Sequence, residues 1–259
     1  MMRKTYIVAL LGLAVLMLWS CKSAKKAASY QEVYSEHPVN IYIAPVENNA
    51  RRALVKSTQD QLYNQELKEA AVYMQQTLAD PLINLGYYCM APLMSDTLFR
   101  IEGKTFQQLA STPDLSEYYQ RYGMDAVLLV SISRWEEPSP NQVDVYAEYI
   151  LRSTKTGTDL LHTWVRGRKQ QPVDYKGESV ELTSDIAFMN RTGITGRLAH
   201  RCILLQQMSD FVLRNLPTSV ERRQYKRDQF TPANENYYTF TYNYNGEIEI
   251  SDYPADAQN

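Results

Sequence analysis

Between Val39 and Ala91 the apolar pattern changes period twice, and this constrains the fold more than any other feature of the chain. Val39 to Val46 ("VNIYIAPV") alternates. Val39, Ile41 and Ile43 share one face, Tyr42 and Ala44 the other, which is the spacing of a strand. From Leu62 to Leu85 the period becomes helical: Leu67, Ala70 or Ala71, Met74, Leu78, Leu82 and Leu85 recur every three or four residues. Pro81 lies inside this stripe and removes a backbone donor, so the helix should kink or break there. Gly86 suits a left-handed cap. Tyr87 to Ala91 ("YYCMA") then reads as a short strand closed by Pro92. Strand, amphipathic helix and strand in roughly fifty residues predict a βαβ unit with a parallel strand pair.

The rest of the chain extends this pattern. "SDTLFR" is a short helical piece with Ser95 or Asp96 as its cap, and "TPDLSEYYQRYG" a second, with Pro113 near its start and Gly123 at its end. "DAVLLVSIS" (Asp125 to Ser133) is continuously apolar, as a strand covered on both faces would be. "VDVYAEYILR" alternates instead, with Val143, Val145, Ala147, Tyr149 and Leu151 opposed to Asp144, Glu148 and Arg152, and predicts a half-exposed strand. A glycine turn in "STKTGT" joins it to a hairpin partner, "DLLHTWVRG". A second long helix spans Gly193 to Leu216, with Leu198, Cys202, Leu205, Met208 or Ser209, Val212 and Leu216 as its stripe and Pro217 as its stop. Residues 218 to 236 are charged and irregular. In "YYTFTYNYNGEIEIS" the Asn245-Gly246 pair signals a two-residue hairpin. The expected class is α/β (α+β mixed): a mixed β-sheet with helices packed against it, plus a C-terminal Tyr-rich hairpin.

At the N-terminus, Arg3 and Lys4 precede an apolar run from Tyr6 to Trp19. As a helix it would span about 21 Å, short of the ~30 Å hydrocarbon core. Charge, short apolar run and small residue make an export signal. Leu18-Trp19-Ser20-Cys21 resembles a lipobox, with Trp19 bulkier than the usual residue there. An ordinary cleaved signal and an uncleaved anchor are the alternatives. A lipobox makes Cys21 the mature N-terminus, carrying acyl chains that each contribute ~0.8 kcal/mol per buried methylene. The division that follows is signal peptide 1–20, acylated tether 21–37, domain 38–217, and charged linker and Tyr-rich tail 218–259. Lys22 stands where an aspartate would suggest inner-membrane retention. The expected location is therefore the outer membrane, lipid-anchored and periplasm-facing, with surface exposure left open. Loss of Arg3 and Lys4 takes Lys plus Arg from 27 to 25 against 29 acidic residues, a net charge of about −4 that excludes a nucleic-acid binder.

No constellation of catalytic groups stands out. His37 falls in the tether, His162 on a strand and His200 on a helix, each best read as a surface or packed histidine. His200 and Cys202 point to different helix faces, so no metal site is expected. Gly193-Ile194-Thr195-Gly196-Arg197 lacks the spacing and lysine of a phosphate loop and reads as a helix start, with Thr195 or Asn190 as cap. Glu136-Glu137, beside Trp135, reads as solvated loop. Cys89 and Cys202 are either a disulfide or two buried thiols. No nucleophile elbow is present, and no cofactor is expected. The 20 tyrosines against 6 phenylalanines and 3 tryptophans suit half-exposed sheet faces. Tyr237, Tyr238, Phe240, Tyr242 and Tyr244 crowd eight residues. They form either a partner contact or a hairpin that extends the sheet. The basic run Arg222 to Arg227 is either a solvated linker or a contact to anionic partners.

Four segments, "PVNIYIAPVENN", "DPLINLGYYCMAP", "YGMDAVLLVSISRWE" and "YILRSTKTGTDLLHTWVRG", resemble in order and wording a family of bacterial lipoproteins whose best-known member is a meningococcal surface antigen. The resemblance covers residues 38 to 215, and its most specific part is "LGYYCMAP" followed at the right distance by "DAVLLVSI". It implies a fold like the TolB N-terminal domain, akin to the curli secretion lipoprotein CsgG and to LpoB, an activator of peptidoglycan synthases. It also implies a non-catalytic outer-membrane lipoprotein acting as an assembly or accessory component of an envelope complex, such as a CsgG-like secretion system. The alternative is an LpoB-like regulator of peptidoglycan synthesis. The implied partners are the membrane, through lipid on Cys21, and an envelope protein, with a homo-oligomer left open.

Overall fold

The computed structural model describes residues 30–50, 56–139, 141–176, 178, 180–224, 242–244 and 248–252. Helix α1 (Gln31–Glu36) leads into strand β1 (Asn40–Ile43) and a two-residue strand β2 (Glu47–Asn48). Helices α2 (Thr58–Thr77) and α3 (Ala79–Asn84) then lead to strand β3 (Tyr88–Cys89). β3 pairs with β1 in parallel, Asn40 opposite Tyr88, as the change of period predicts. α2 starts before the apolar stripe because Ser57 and Asp60 form a capping box. Ser57 Oγ accepts from the Asp60 amide at 3.1 Å, and Asp60 Oδ2 accepts from the Ser57 amide at 3.1 Å. The helical run breaks at Leu78, which leaves Pro81 in the first turn of α3, where no intrahelical partner is lost.

Three short helices follow: α4 (Pro92–Glu102), α5 (Phe106–Ser111) and α6 (Ser116–Tyr122). Pro92 opens α4, so Ser95 and Asp96 lie within it and not at its cap. Strands β4 (Ala126–Ser139), β5 (Gln142–Ser153) and β6 (Asp159–Gln170) form an antiparallel meander. Helices α7 (Thr183–Thr192), α8 (Gly196–Leu213) and α9 (Ser219–Gln224) come next, then strands β7 (Tyr242–Tyr244) and β8 (Ile248–Asp252). The sheet order is β3-β1-β4-β5-β6-β8-β7, with β2 pairing β4 beyond β1. The β3-β1-β4 side is parallel and the remainder antiparallel, so the protein is a mixed α/β fold.

Helices α2, α3 and α8 cover one face of the sheet, and α4 to α6 cover the other. β4 shows why its sequence is continuously apolar. Ala126, Leu128, Val130 and Ile132 enter the first core, and Val127 and Leu129 the second. Each such side chain contributes about 1.5–3 kcal/mol by leaving water. The β5–β6 turn docks on the second helical layer. Gly157 has φ 73°, and a Cβ there would lie 2.2 Å from the Pro113 carbonyl oxygen, so no other residue fits. Gly167 on β6 admits α8, since a Cβ would meet Met208 Sδ at 2.5 Å.

Four further expectations are corrected. β5 is not half-exposed: α5 and α6 cover Ile150, Arg152 donates to the Ala110 carbonyl at 2.5 Å, and Asp144 is buried beneath Arg166 and Arg168 of β6. β4 continues through Glu136 and Glu137 to Ser139, so this pair is not on a solvated loop. Residues 31–36 are helix and not tether, with Val33 in the main core; two apolar residues in so short a run carry no readable period. The charged stretch after Pro217 begins with α9, and Arg222 is buried against the Tyr87 ring, 3.8 Å from its centroid. It also donates to the Pro217 carbonyl at 2.6 Å. Of the two readings left open for the tail, the described pairing is the sheet-extending one: β8 pairs with β6, and β7 with β8. Asn245-Gly246 lies outside the described residues.

Candidate functional site

The densest cluster of buried ionisable groups lies where the end of β6 meets α7 and α8. β6 supplies Lys169, the segment after it Gln171 and Glu181, α7 supplies Asp185, and α8 His200. Lys169, Asp185 and His200 are each 5 % exposed or less. Lys169 Nζ lies 3.2 Å from Asp185 Oδ1 and 3.0 Å from Oδ2, and His200 Nδ1 faces Oδ2 at 3.1 Å. Burial by itself would raise the Asp185 carboxyl. The His200 ring and the Lys169 ammonium beside it outweigh burial and hold it below the usual carboxylate range. An ionised Asp185 only accepts, which assigns the proton to His200 Nδ1. His200 Nε2 then accepts from Gln171 Nε2 at 2.8 Å, with Glu181 Oε1 3.2 Å away.

Glu181, Asp185 and His200 are metal-ligand types, and their ligand atoms lie within 4.8 Å of one another. The Lys169 ammonium, however, contacts both Asp185 oxygens and already supplies the positive charge that an ion would bring. A metal would have to displace it. The cleft beside the cluster is lined by Asn141, Gln142, Lys169, Gln171, Arg197 and His200, and its volume of about 20 Å³ suits a water or a small ion.

Two further ionic networks lock the sheet. Arg201 on α8 is 0 % exposed and forks between Glu66 on α2 and Glu137 on β4. Its guanidinium lies 5.5 Å from the Tyr63 ring centroid and 5.3 Å from that of Trp135. On β5, Asp144 accepts from Arg168 Nε and Nη2 at 3.0 Å each, from Arg166 Nη2 at 2.5 Å and from Gln142 Nε2 at 2.9 Å. Burial would raise its carboxyl, but these donors pull it down to about 2. A carboxyl depressed in the fold stabilises above its unfolded pKa of about 3.9, and that contribution is lost as pH falls toward 2. Urea unfolding across this window should therefore show a shallower loss of stability for Asp144→Asn than for the parent chain. Parallel curves would refute the assignment.

The residues singled out in the sequence scatter. Cys21, Tyr237, Tyr238 and Phe240 lie outside the described residues, while Tyr242 and Tyr244 lie on β7. His37 caps α1 with φ 49°. His162 faces Glu148 at 2.8 Å and packs on Trp164. Cys89 and Cys202 are separate free thiols, and burial pushes each up to about 12, which leaves them poor nucleophiles. Gly193 ends α7 and Thr195 stands at the α8 cap position, so the glycine-rich segment is a helix junction. Lys169, Asp185 and Arg201 were not legible. Asp185 and Arg201 border apolar positions and Lys169 sits in a polar run at the end of its strand, and nothing local says that they meet partners elsewhere in the chain. Among the described residues no helix is long and apolar enough to cross a membrane.

No protein-family profile and no curated protein sequence matches the chain. Among solved structures it is similar to the lipoprotein GNA1162 from Neisseria meningitidis, at 16% identity and a TM-score of 0.42, over 60% of this chain and 95% of that one. It is also similar to PelC from Paraburkholderia phytofirmans, a dodecamer, at 12% identity and a TM-score of 0.36, over 70% and 89% of the two chains. The C-terminal domain of LpoB from Salmonella enterica aligns at 14% identity and a TM-score of 0.27, over 56% and 98%.

Proposed function

We propose that this chain is a non-catalytic lipoprotein, anchored in the outer membrane through Cys21, whose α/β domain serves as an assembly component of an envelope complex. The observation that carries this reading is the sequence Leu18-Trp19-Ser20-Cys21 at the end of a short apolar run, with a sheet-and-helix domain beginning soon after it. The internal chemistry supports it. Asp185, Asp144 and Arg201 are buried and neutralised by partners within the fold, which suits a scaffold better than a reacting centre. β7 ends the described sheet, and strand addition at that edge, around Tyr242 and Tyr244, is where we place the protein partner.

The test is made in cells. The mature N-terminal peptide should carry acyl mass on Cys21, and Cys21→Ala should move the protein from the membrane fraction to the soluble periplasm. Crosslinking should then capture one defined envelope protein. A secretion component would favour an assembly role, and a peptidoglycan synthase a regulatory one. An unmodified Cys21 on a membrane-free protein would end the lipoprotein reading.

A further inference from the structure

We propose that the outward face of α4 lies on a phospholipid surface, an inference that rests on the lipid-anchor reading for bringing the domain to the bilayer. α4 is apolar on two sides: Leu98 and Phe99 pack toward the second core, and a further apolar set faces outward. Its fully buried residue is Ser95, whose carbonyl accepts from the Tyr42 hydroxyl at 2.9 Å, while Leu93 is 76 %, Met94 59 % and Ile101 75 % exposed. Leu93, Thr97 and Ile101 are spaced four apart and share one helix face. Single exposed apolar side chains need no explanation, but a helix that keeps Leu93, Met94 and Ile101 outward when Leu98 and Phe99 already serve the core does. Tyr88 adds to the same side. Tyr87 enters the opposite core, so strand alternation puts Tyr88, 65 % exposed, on the α4 face of the sheet.

The charges of α4 are sorted in the way a membrane surface requires. Both carboxylates are engaged by the domain: Asp96 accepts from Gln75 at 2.5 Å, and Glu102 accepts the Tyr118 and Tyr122 hydroxyls at 2.6 and 2.8 Å. Arg100 stays exposed beside the apolar residues. An apolar stripe flanked by a cation, with the acidic groups turned away, fits an anionic headgroup interface better than an acidic or a purely apolar partner.

The chain path favours the same occupant. The C-terminal end of α4 reaches Tyr122 through Glu102; the next residue, Gly123, accepts from Asn40 Nδ2 at 3.1 Å. Asn40 opens β1, directly after α1. α4 therefore ends at the end of the sheet where β1 begins, and although Tyr30 packs on the opposite face, the nine residues from Cys21 to Tyr30 reach at most roughly 30 Å. A domain held on so short a lead can rest α4 on the bilayer that holds the anchor.

The test uses the full mature chain carrying Cys21→Ser, which removes the acyl anchor, and vesicles of equal parts phosphatidylethanolamine and phosphatidylglycerol. The chain should co-float with the vesicles, and L93S/I101S should lower its partition coefficient about tenfold or more. Both replaced residues are exposed, so thermal unfolding of the variant should match the parent. No flotation, or flotation that L93S/I101S leaves unchanged, overturns the proposal. A dimer in sedimentation that L93S/I101S dissolves also overturns it and assigns the face to a second copy. Acyl mass on Cys21 of the wild-type chain is read separately. An unmodified cysteine defeats the anchor, while flotation of the non-acylated chain still decides the fate of α4.

Discussion

Replacing Asp185 with alanine should destabilise the domain by about 3–5 kcal/mol, the cost of leaving a buried cation without its counter-charge. Lys169 is 2 % exposed, and both oxygens that neutralise it belong to Asp185. Without them the ammonium must lose its proton or draw water into a packed site. The pH dependence has a fixed sign. A buried, unpaired lysine titrates lower in the fold than in the unfolded chain. The unfolded state then binds more protons, and the variant should gain stability as pH rises. The double variant Lys169→Met with Asp185→Leu should recover much of the loss, because it removes the charge instead of stranding it. Urea denaturation at several pH values measures all three. A loss below about 1 kcal/mol for Asp185→Ala would mean that the cluster is solvated in solution.

Arg201→Ala should cost about 3 kcal/mol, near the lower end of the same range. Its partners Glu66 and Glu137 have side chains 30% and 27% exposed, so they can rehydrate in part when the guanidinium goes. What cannot be recovered is the buried stem and the contact with Tyr63 and Trp135, which together tie α2, α8 and β4. Arg201→Lys should rescue less than half of the loss, since one ammonium cannot reach two carboxylates on different elements as a planar fork does. Calorimetry of the two variants checks this. Equal stability of Arg201→Lys and wild type would show that charge alone matters there.

Elements whose apolar pattern has a single period were legible. The strand at Val39, the helix at Leu67 to Leu82 and the strand at Asp125 each declare themselves by spacing, and the parallel pairing of β1 with β3 follows from their order. The errors have one physical source. Whether a polar face is solvated depends on what another element lays over it. Asp144 and Arg152 look exposed along the chain, but arginines from β6 satisfy the first and the α5 carbonyls the second. Val33 and Arg222 fall in runs too short or too charged to carry a period, yet each is held by a partner far along the sequence.

The same division separates what the chain alone determined from what only tertiary structure decided. Local spacing determined the mixed α/β order, the break near Pro81, the turn at Gly157 and the lipobox-like end at Cys21, because each depends on residues within one or two turns of one another. Tertiary structure decided that Lys169, Asp185 and His200 form one cluster, that Arg201 joins three elements, and that α4 turns Leu93 and Ile101 to solvent. Those outcomes depend on which surfaces meet. A helix with apolar residues on more than one side does not state which side the sheet will take.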